Sequence, residues 1–120
     1  MTNPLQTQIG GSHYKNFEYQ PIEFFMDMKL NFIQCNIIKY IVRHRSKNGI
    51  EDVKKAKHYA EIAKELKVSV ESIMLDDTSL VFKFSDQIKD NMDKTIVEDA
   101  IFSKYSSVIL HCNKLINSYE

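Results

Sequence analysis

The chain has 120 residues, of which 43% are hydrophobic and 27% are charged, and its 16 basic and 16 acidic side chains cancel. This composition is typical of one ordinary soluble domain and excludes an extensively disordered chain or a disulfide scaffold. No apolar run reaches the roughly 18 residues of a membrane span, and Met1 to Gly10 lacks a secretory-signal pattern, so we expect a cytoplasmic protein without a membrane partner. Only three glycines occur, which excludes Rossmann and Walker phosphate loops.

The absence of net charge hides an asymmetry between the two halves of the chain. Residues 1–67 carry eleven Lys or Arg against seven Asp or Glu, a balance of +4, whereas residues 68–120 carry five against nine, a balance of −4. Lys39 to Lys57 alone holds seven basic residues. Such a concentration can attract an anionic ligand, although charge by itself is more typical of a solvated helical face.

The first half predicts an arm followed by helices. Residues 1–20 are polar with scattered aromatics and are predicted to form an irregular arm. Pro21 suits the first position of a short helix that reaches about Lys29. Asn31 is expected to cap a helix from Phe32 to about Lys47, and Asn48-Gly49 to close it.

A second long helix follows almost at once, from Ile50 to about Leu66. Its alanines and Val53 recur on one face, and the short connection predicts that it packs antiparallel to the helix before it. We therefore expect an antiparallel helical hairpin over residues 21–67 as the core of a single helical domain that spans residues 1–120.

The acidic part, residues 68–120, is also predicted to be helical. The run around Val81, Phe84 and Ile88 fits a helix, although Leu80, Phe82 and Phe84 also fit a strand. Thr95 and Glu98 fit a capping box that opens a long amphipathic C-terminal helix. Its apolar residues recur every three or four positions: Val97, Ile101, Tyr105, Val108, Cys112, Leu115 and Tyr119. The fold class is therefore predicted to be all-α.

The C-terminal apolar stripe also bears on assembly. Packing within the monomer is the ordinary outcome for such a stripe, but helix pairing between chains uses the same spacing. A six-turn stripe is long for a small monomer to cover, and the basic and acidic halves can pair between chains. We therefore predict a homo-oligomer, at least a dimer. Cys35 and Cys112 lie in apolar patterns and are expected to be free thiols that pack as small hydrophobes.

Polar residues interrupt the first long helix on one side. Asn36, Lys39, Tyr40, Arg43 and Lys47 fall three or four positions apart, and Asp52, Lys55 and Tyr59 form a similar stripe on the next helix. If the two stripes meet in a cleft, Arg and Lys suit phosphate, Tyr suits a base, and Asn and Asp suit polar edges. From spacing alone, a solvated face explains the same pattern.

Three motifs resemble a family of small phage proteins. They are G-S-H-Y-K at residues 11–15, Y-Q-P-I-E-F at 19–24 and N-I-I-K-Y-I-V-R-H-R-S-K-N-G-I-E-D-V-K-K-A-K-H-Y at 36–59. The family is catalogued as a domain of unknown function and is often labelled nucleotide kinase after a T-odd coliphage member. The resemblance covers roughly residues 11–67 and implies an all-helical nucleotide-binding protein that works in the cytoplasm of the host cell.

Carried over position by position, the family pattern favours the two polar stripes as a ligand site and adds residues of the arm. The implied ligand-binding residues are His13, Tyr14, Lys15, Asn36, Lys39, Tyr40, Arg43, Lys47, Asp52, Lys55 and Tyr59. His13 is either an arm residue that closes over phosphate or an idle exposed histidine. Arg43→Ala is expected to abolish nucleotide binding and to leave the fold intact.

Two functions remain open on this evidence. The first is phosphoryl transfer to a nucleoside monophosphate without a Walker loop, in which Mg²⁺ would be a possible cofactor. The second is sequestration of a nucleotide or a cyclic nucleotide signal without turnover, as an anti-defence protein would do. The histidines and cysteines lack zinc-site spacing, so no zinc is expected. The neutral charge and a pI near 6.9 predict no nucleic-acid partner and no measurable binding to a duplex.

Overall fold

A computed structural model of the chain describes residues 3–7, 14, 16–68 and 78–119. Within these residues it contains a short 3₁₀ turn at Pro4–Gln6, six α-helices and no β-strand. The helices are α1 (Pro21–Met28), α2 (Phe32–Arg43), α3 (Ile50–Glu65), α4 (Thr78–Ser85), α5 (Asn91–Ile101) and α6 (Tyr105–Tyr119). The all-α class predicted from the sequence is confirmed, and the ambiguous run around Val81 is a helix.

The starts of α1 and α2 lie where local chemistry predicts them. Pro21 occupies the first turn of α1, and Lys29 ends that helix in the left-handed conformation. The Asn31 side chain accepts a hydrogen bond from the Gln34 backbone N–H at 2.8 Å, and the Gln34 side chain accepts one from the Asn31 N–H at 2.9 Å. This reciprocal capping box confirms Asn31 as the cap of α2.

Helix α2 ends earlier than its sequence pattern predicts. It stops at Arg43, and residues 44–49 form a turn in which the Gly49 N–H donates to the His44 carbonyl at 2.8 Å. The buried His44 ring explains this ending, because its Nε2 lies 2.9 Å from Asp93 of α5 and its Nδ1 lies 2.5 Å from the Tyr119 hydroxyl of α6. Gly49, at φ +58°, precedes α3 instead of closing α2.

The predicted long C-terminal helix is two helices. Asp90, not Thr95, caps α5 by accepting from the Asp93 N–H at 2.9 Å, and Thr95 lies inside the helix with its hydroxyl donating to the Asn91 carbonyl. Helix α5 ends at Ile101, and Ser103, with φ +58°, lies in the turn before α6. The capping-box prediction was wrong because Asp90 offers an equally good cap one turn earlier.

The helices share one hydrophobic core. Helix α2 packs on α3 and α5, α6 packs on α3 and α5, and α4 contacts α1 and α5. Buried alanines of α3 allow close approach at residues 56, 60 and 63. On the α1–α4 side, the Phe24 and Phe84 rings stack with their centroids 4.4 Å apart.

The C-terminal stripe is covered within the chain itself. Its members from Val97 to Leu115 are at most 6% exposed, and only Tyr119 is exposed. The charged halves also pair within the chain, because Arg45 Nε lies 2.9 Å from Asp93 and Arg45 Nη2 lies 3.2 Å from Asp90. The stripe therefore gives no argument for a homo-oligomer, since the monomer buries it unaided, and part of the charge complementarity is also used within the chain.

Candidate functional site

Three cations surround the ring of Tyr40 on α2. Lys39 Nζ lies 4.5 Å from the ring centroid, Arg43 Cζ 4.7 Å, and Lys55 Nζ, from α3, 5.4 Å. All three are within the roughly 6 Å over which a cation is attracted to an aromatic face. The helical spacing of residues 39, 40 and 43 and the packing of α3 on α2 thus concentrate positive charge around one aromatic side chain.

Tyr59 extends this cluster along α3. Its ring is nearly parallel to that of Tyr40, with centroids 6.1 Å apart, and it meets the Phe32 ring edge-on at 6.0 Å. Beside it lies an open groove of about 450 Å³, which we call the cationic groove. The groove is lined by Tyr40, Glu51, Lys54, Lys55, His58, Tyr59 and Ile62. Its shape and lining suit an anionic ligand with a flat aromatic part.

A buried carboxylate forms an ion pair with the Arg43 guanidinium. Asp52 is fully buried, and its Oδ1 accepts from Arg43 Nη2 at 3.3 Å. The same carboxylate accepts from the backbone and side-chain nitrogens of Asn48, at 3.2 and 3.4 Å. Because Arg43 is itself only 14% exposed, the pair is largely shielded from water, so Asp52 positions Arg43 and is not a ligand-contacting residue.

Tyr14 is the described residue of the arm that reaches this site. Burial raises the pKa of its hydroxyl, and the neighbouring Arg43 guanidinium opposes part of that rise. Asp52 and Tyr40 also act on the pKa of Tyr14. Tyr14 thus shares the electrostatic surroundings of Arg43, and closure of the arm over a ligand stays a prediction. His13 and Lys15 lie outside the described residues.

Two of the implied site residues lie elsewhere. Asn36 is buried, and its Nδ2 donates to the Phe32 carbonyl one turn earlier at 2.8 Å, so its amide is used within α2. Lys47 is exposed in the turn after α2, because that helix ends at Arg43 and the predicted stripe ends with it. The structure thus gathers Tyr14, Lys39, Tyr40, Arg43, Asp52, Lys55 and Tyr59 and leaves Asn36 and Lys47 out.

The sequence analysis missed four residues that line the cationic groove: Glu51, Lys54, His58 and Ile62. Lys54, His58 and Ile62 recur every four residues along α3, one position before the predicted stripe of Lys55 and Tyr59. That spacing was visible in the sequence, and a wider polar face on α3 would have included Lys54 and His58.

Arg43→Ala was expected to leave the fold intact, but the buried Asp52 partner contradicts the solvated placement on which that expectation rested.

A second groove lies directly beside the first. It has about 440 Å³ and is lined by Asn31, Phe32, Ile33, Tyr59, Ile62, Leu66 and Val68. We call it the apolar groove, because none of its lining residues is charged. Phe32 and Leu66 are 72% and 66% exposed, so the groove opens to solvent. Tyr59 and Ile62 line both grooves and form the boundary between them.

The carboxylates near the site do not converge on a common point. Glu51 lines the cationic groove 3.9 Å from Lys55 Nζ, whereas Asp52 is enclosed with Arg43. Among the described residues no group of three or more His, Cys, Asp or Glu is placed to hold a metal ion. None of the described helices is long and apolar enough to cross a membrane.

Residues 4–61 match a family described as a protein of unknown function (DUF3310). The matched range contains the arm, α1, α2 and most of α3, together with every implied ligand-binding residue. That description assigns no activity, so the kinase label attached to the resemblance receives no support from it. No curated protein and no solved structure matches the chain.

Proposed function

We propose that this protein binds a nucleotide in the cationic groove. The observation that carries the proposal is the convergence of Lys39, Arg43 and Lys55 around Tyr40, with Tyr59 beside it. Lysines suit phosphate oxygens, and the tyrosine rings suit the face of a base. An inorganic anion alone would use only the charges, whereas a nucleotide uses both parts of the groove.

The lysine charge beside Tyr40 is available to a ligand because little of it is neutralised. Lys39 and Lys54 make no ion pair within the described part of the chain, and the Lys55 pair with Glu51 is a long, exposed contact of 3.9 Å. Such surface pairs contribute little energy, so a phosphate can replace the Glu51 carboxylate at small cost. Arg43 is already paired with the buried Asp52 carboxylate, so the lysines supply most of the attraction for phosphate.

Binding without turnover is the form of this proposal that the residues support best. Phosphoryl transfer to a nucleoside monophosphate would need a second nucleotide and a group that activates the acceptor. Glu51 is the one carboxylate that lines the cationic groove, and Mg²⁺ would have to be held mainly by the nucleotide phosphates. Sequestration of a nucleotide or cyclic nucleotide, as an anti-defence phage protein would do, requires only affinity.

The test is a calorimetric titration with nucleoside mono-, di- and triphosphates and cyclic nucleotides, followed by recovery of the ligand. We expect micromolar or tighter binding of at least one nucleotide and its recovery intact. Lys55→Met and Tyr59→Leu should each weaken binding about tenfold, which corresponds to roughly 1.4 kcal/mol. Lys64→Met is the matched control, since Lys64 is exposed on the same helix outside the groove lining.

Two results would contradict the proposal. One is the absence of binding across the whole panel by a folded protein. The other is an equal loss of affinity in Lys55→Met and Lys64→Met, which would mean that only general positive charge attracts the nucleotide. Recovery of a phosphorylated product would instead favour the kinase form of the proposal.

The proposed function also makes predictions about two other partners, duplex nucleic acid and a second copy of the chain. We expect no binding to duplex DNA or RNA at physiological salt, because the basic residues around Tyr40 form one compact cluster and not an extended track. The cationic groove is open on one side, and a second copy of the chain would wall it in, so a homo-oligomer stays a prediction. Light scattering with and without nucleotide tests it.

A further inference from the structure

The apolar groove adjoins the proposed nucleotide site, and only side chains that line both grooves lie between them. Tyr59 and Ile62 line both grooves, so a ligand that lies on Tyr59 on the cationic side can continue across it. The lining residues from Glu51 to Leu66 span about 22 Å of α3 at 1.5 Å per residue. One mononucleotide is too short to cover that distance.

The two grooves differ in charge but not in aromatic character. Lysines surround the Tyr40 end, whereas the lining of the apolar groove carries no charge. Phe32 is 72% exposed and meets Tyr59 edge-on at 6.0 Å, which leaves one flat ring open to solvent on the apolar side. A ligand that fits both grooves has its anionic group at one end and a flat, uncharged ring at the other.

We propose that the ligand contains two bases joined through phosphate, with the second base on Phe32 in the apolar groove. This inference rests on the proposed nucleotide site and adds the size of its ligand. A base is favoured over an alkyl chain because the groove is an open trough with an exposed ring. Stacking on one exposed ring buries a whole face of a flat base, whereas an alkyl group buries a comparable area only where a pocket surrounds it.

The apolar groove also predicts how the second base is selected. Apart from the Tyr59 hydroxyl, Asn31 supplies the polar side chain of the lining, and its oxygen already accepts from the Gln34 N–H as the cap of α2. The lining is otherwise aliphatic and aromatic, which favours stacking of a base over reading of its edges, since stacking is available to every base. We expect the identity of the second base to change affinity little.

The experiment compares dTMP with the 5′-phosphorylated dinucleotide pTpT in wild-type protein and in Phe32→Ala. Stacking of one base contributes about 1–3 kcal/mol, so wild type should bind pTpT at least about fivefold more tightly than dTMP. Phe32→Ala should lose this advantage and retain the dTMP affinity of wild type. Phe82→Ala is the matched control, because Phe82 is a half-exposed phenylalanine on α4.

The outcomes separate this inference from the proposed function. Equal affinity of wild type for dTMP and pTpT, or the same loss of both in Phe32→Ala, overturns the second base and leaves the nucleotide site standing. Failure to bind pTpT by a protein that binds another nucleotide of the panel also overturns the second base alone, whereas failure across the whole panel overturns both proposals. A thymidine decamer distinguishes the two sources of such a ligand. If the decamer binds with the affinity of pTpT for each two-base unit, the ligand is a free dinucleotide. If the decamer binds more tightly and its affinity falls with salt, the ligand is a single strand.

Discussion

Loss of the Arg43 side chain should destabilise the fold as well as the site. Arg43→Met retains an apolar stem against the Tyr40 ring but removes the partner of the fully buried Asp52 carboxylate. Removing one member of a buried ion pair typically costs about 3–5 kcal/mol, because the other charge is left uncompensated. Asp52 keeps its two hydrogen bonds from Asn48, so we expect the lower end of that range, about 3 kcal/mol.

That loss is large against the roughly 5–15 kcal/mol by which domains of this kind are stable. Urea unfolding followed by far-ultraviolet circular dichroism measures it directly. Lys39→Met is the matched control, because Lys39 lies over the same Tyr40 ring without a carboxylate partner in the described part of the chain. We expect its free energy of unfolding to stay within about 0.5 kcal/mol of wild type.

A double variant identifies the cause of the loss. In Arg43→Met with Asp52→Asn, the neutral amide oxygen still accepts from the Asn48 backbone N–H, and no buried charge is left unpaired. We therefore expect the double variant to recover more than half of the stability lost by Arg43→Met. The reasoning is refuted if Arg43→Met costs less than about 1 kcal/mol, or if the second substitution recovers nothing.

Three further predictions concern the rest of the fold. Burial raises the pKa of the Cys112 thiol to about 12, so in a Cys35→Ser background a thiol reagent at pH 8 should modify Cys112 only after unfolding. Lys29→Gly should stabilise the protein by up to about 1 kcal/mol, because Lys29 adopts φ +53°, whereas Lys54→Gly inside α3 should cost about as much. A fragment of residues 1–67 should show little helical circular dichroism, since α5 and α6 cover the buried faces of α2 and α3.

Helix starts were predictable because their signals are local. Pro21 and Asn31 act on backbone groups within four residues, and both predicted starts are confirmed. The end of α2 was not predictable, because His44 is held by Asp93 and Tyr119 from distant parts of the chain. In the same way, Thr95 was predicted as a cap because threonine suits that position, but Asp90 caps α5, and residue type alone does not decide between an aspartate and a threonine.

The site shows the same division. The three-and-four spacing correctly grouped Lys39, Tyr40 and Arg43, and the short connection brought Lys55 beside them. The sequence does not show that Asp52 is fully buried, because a carboxylate on a polar stripe looks the same whether it faces water or is covered by another segment. Burial of a polar residue depends on which parts of the fold pack over it, and the spacing within α3 does not contain that information.

The family match covers the linings of the two grooves to different extents. Residues 4–61 include Lys39, Tyr40, Lys55 and Tyr59, so the one-base part of the proposed site lies almost wholly within the matched range. The apolar groove draws Asn31, Phe32, Ile33 and Tyr59 from the same range and only Ile62, Leu66 and Val68 from beyond it. The helices that cover α2 and α3, α5 and α6, also lie beyond it. If both proposals hold, the matched range supplies the ring for each base, at Tyr59 and Phe32, and the continuation of α3 beyond residue 61 adds the apolar wall against which the second base packs.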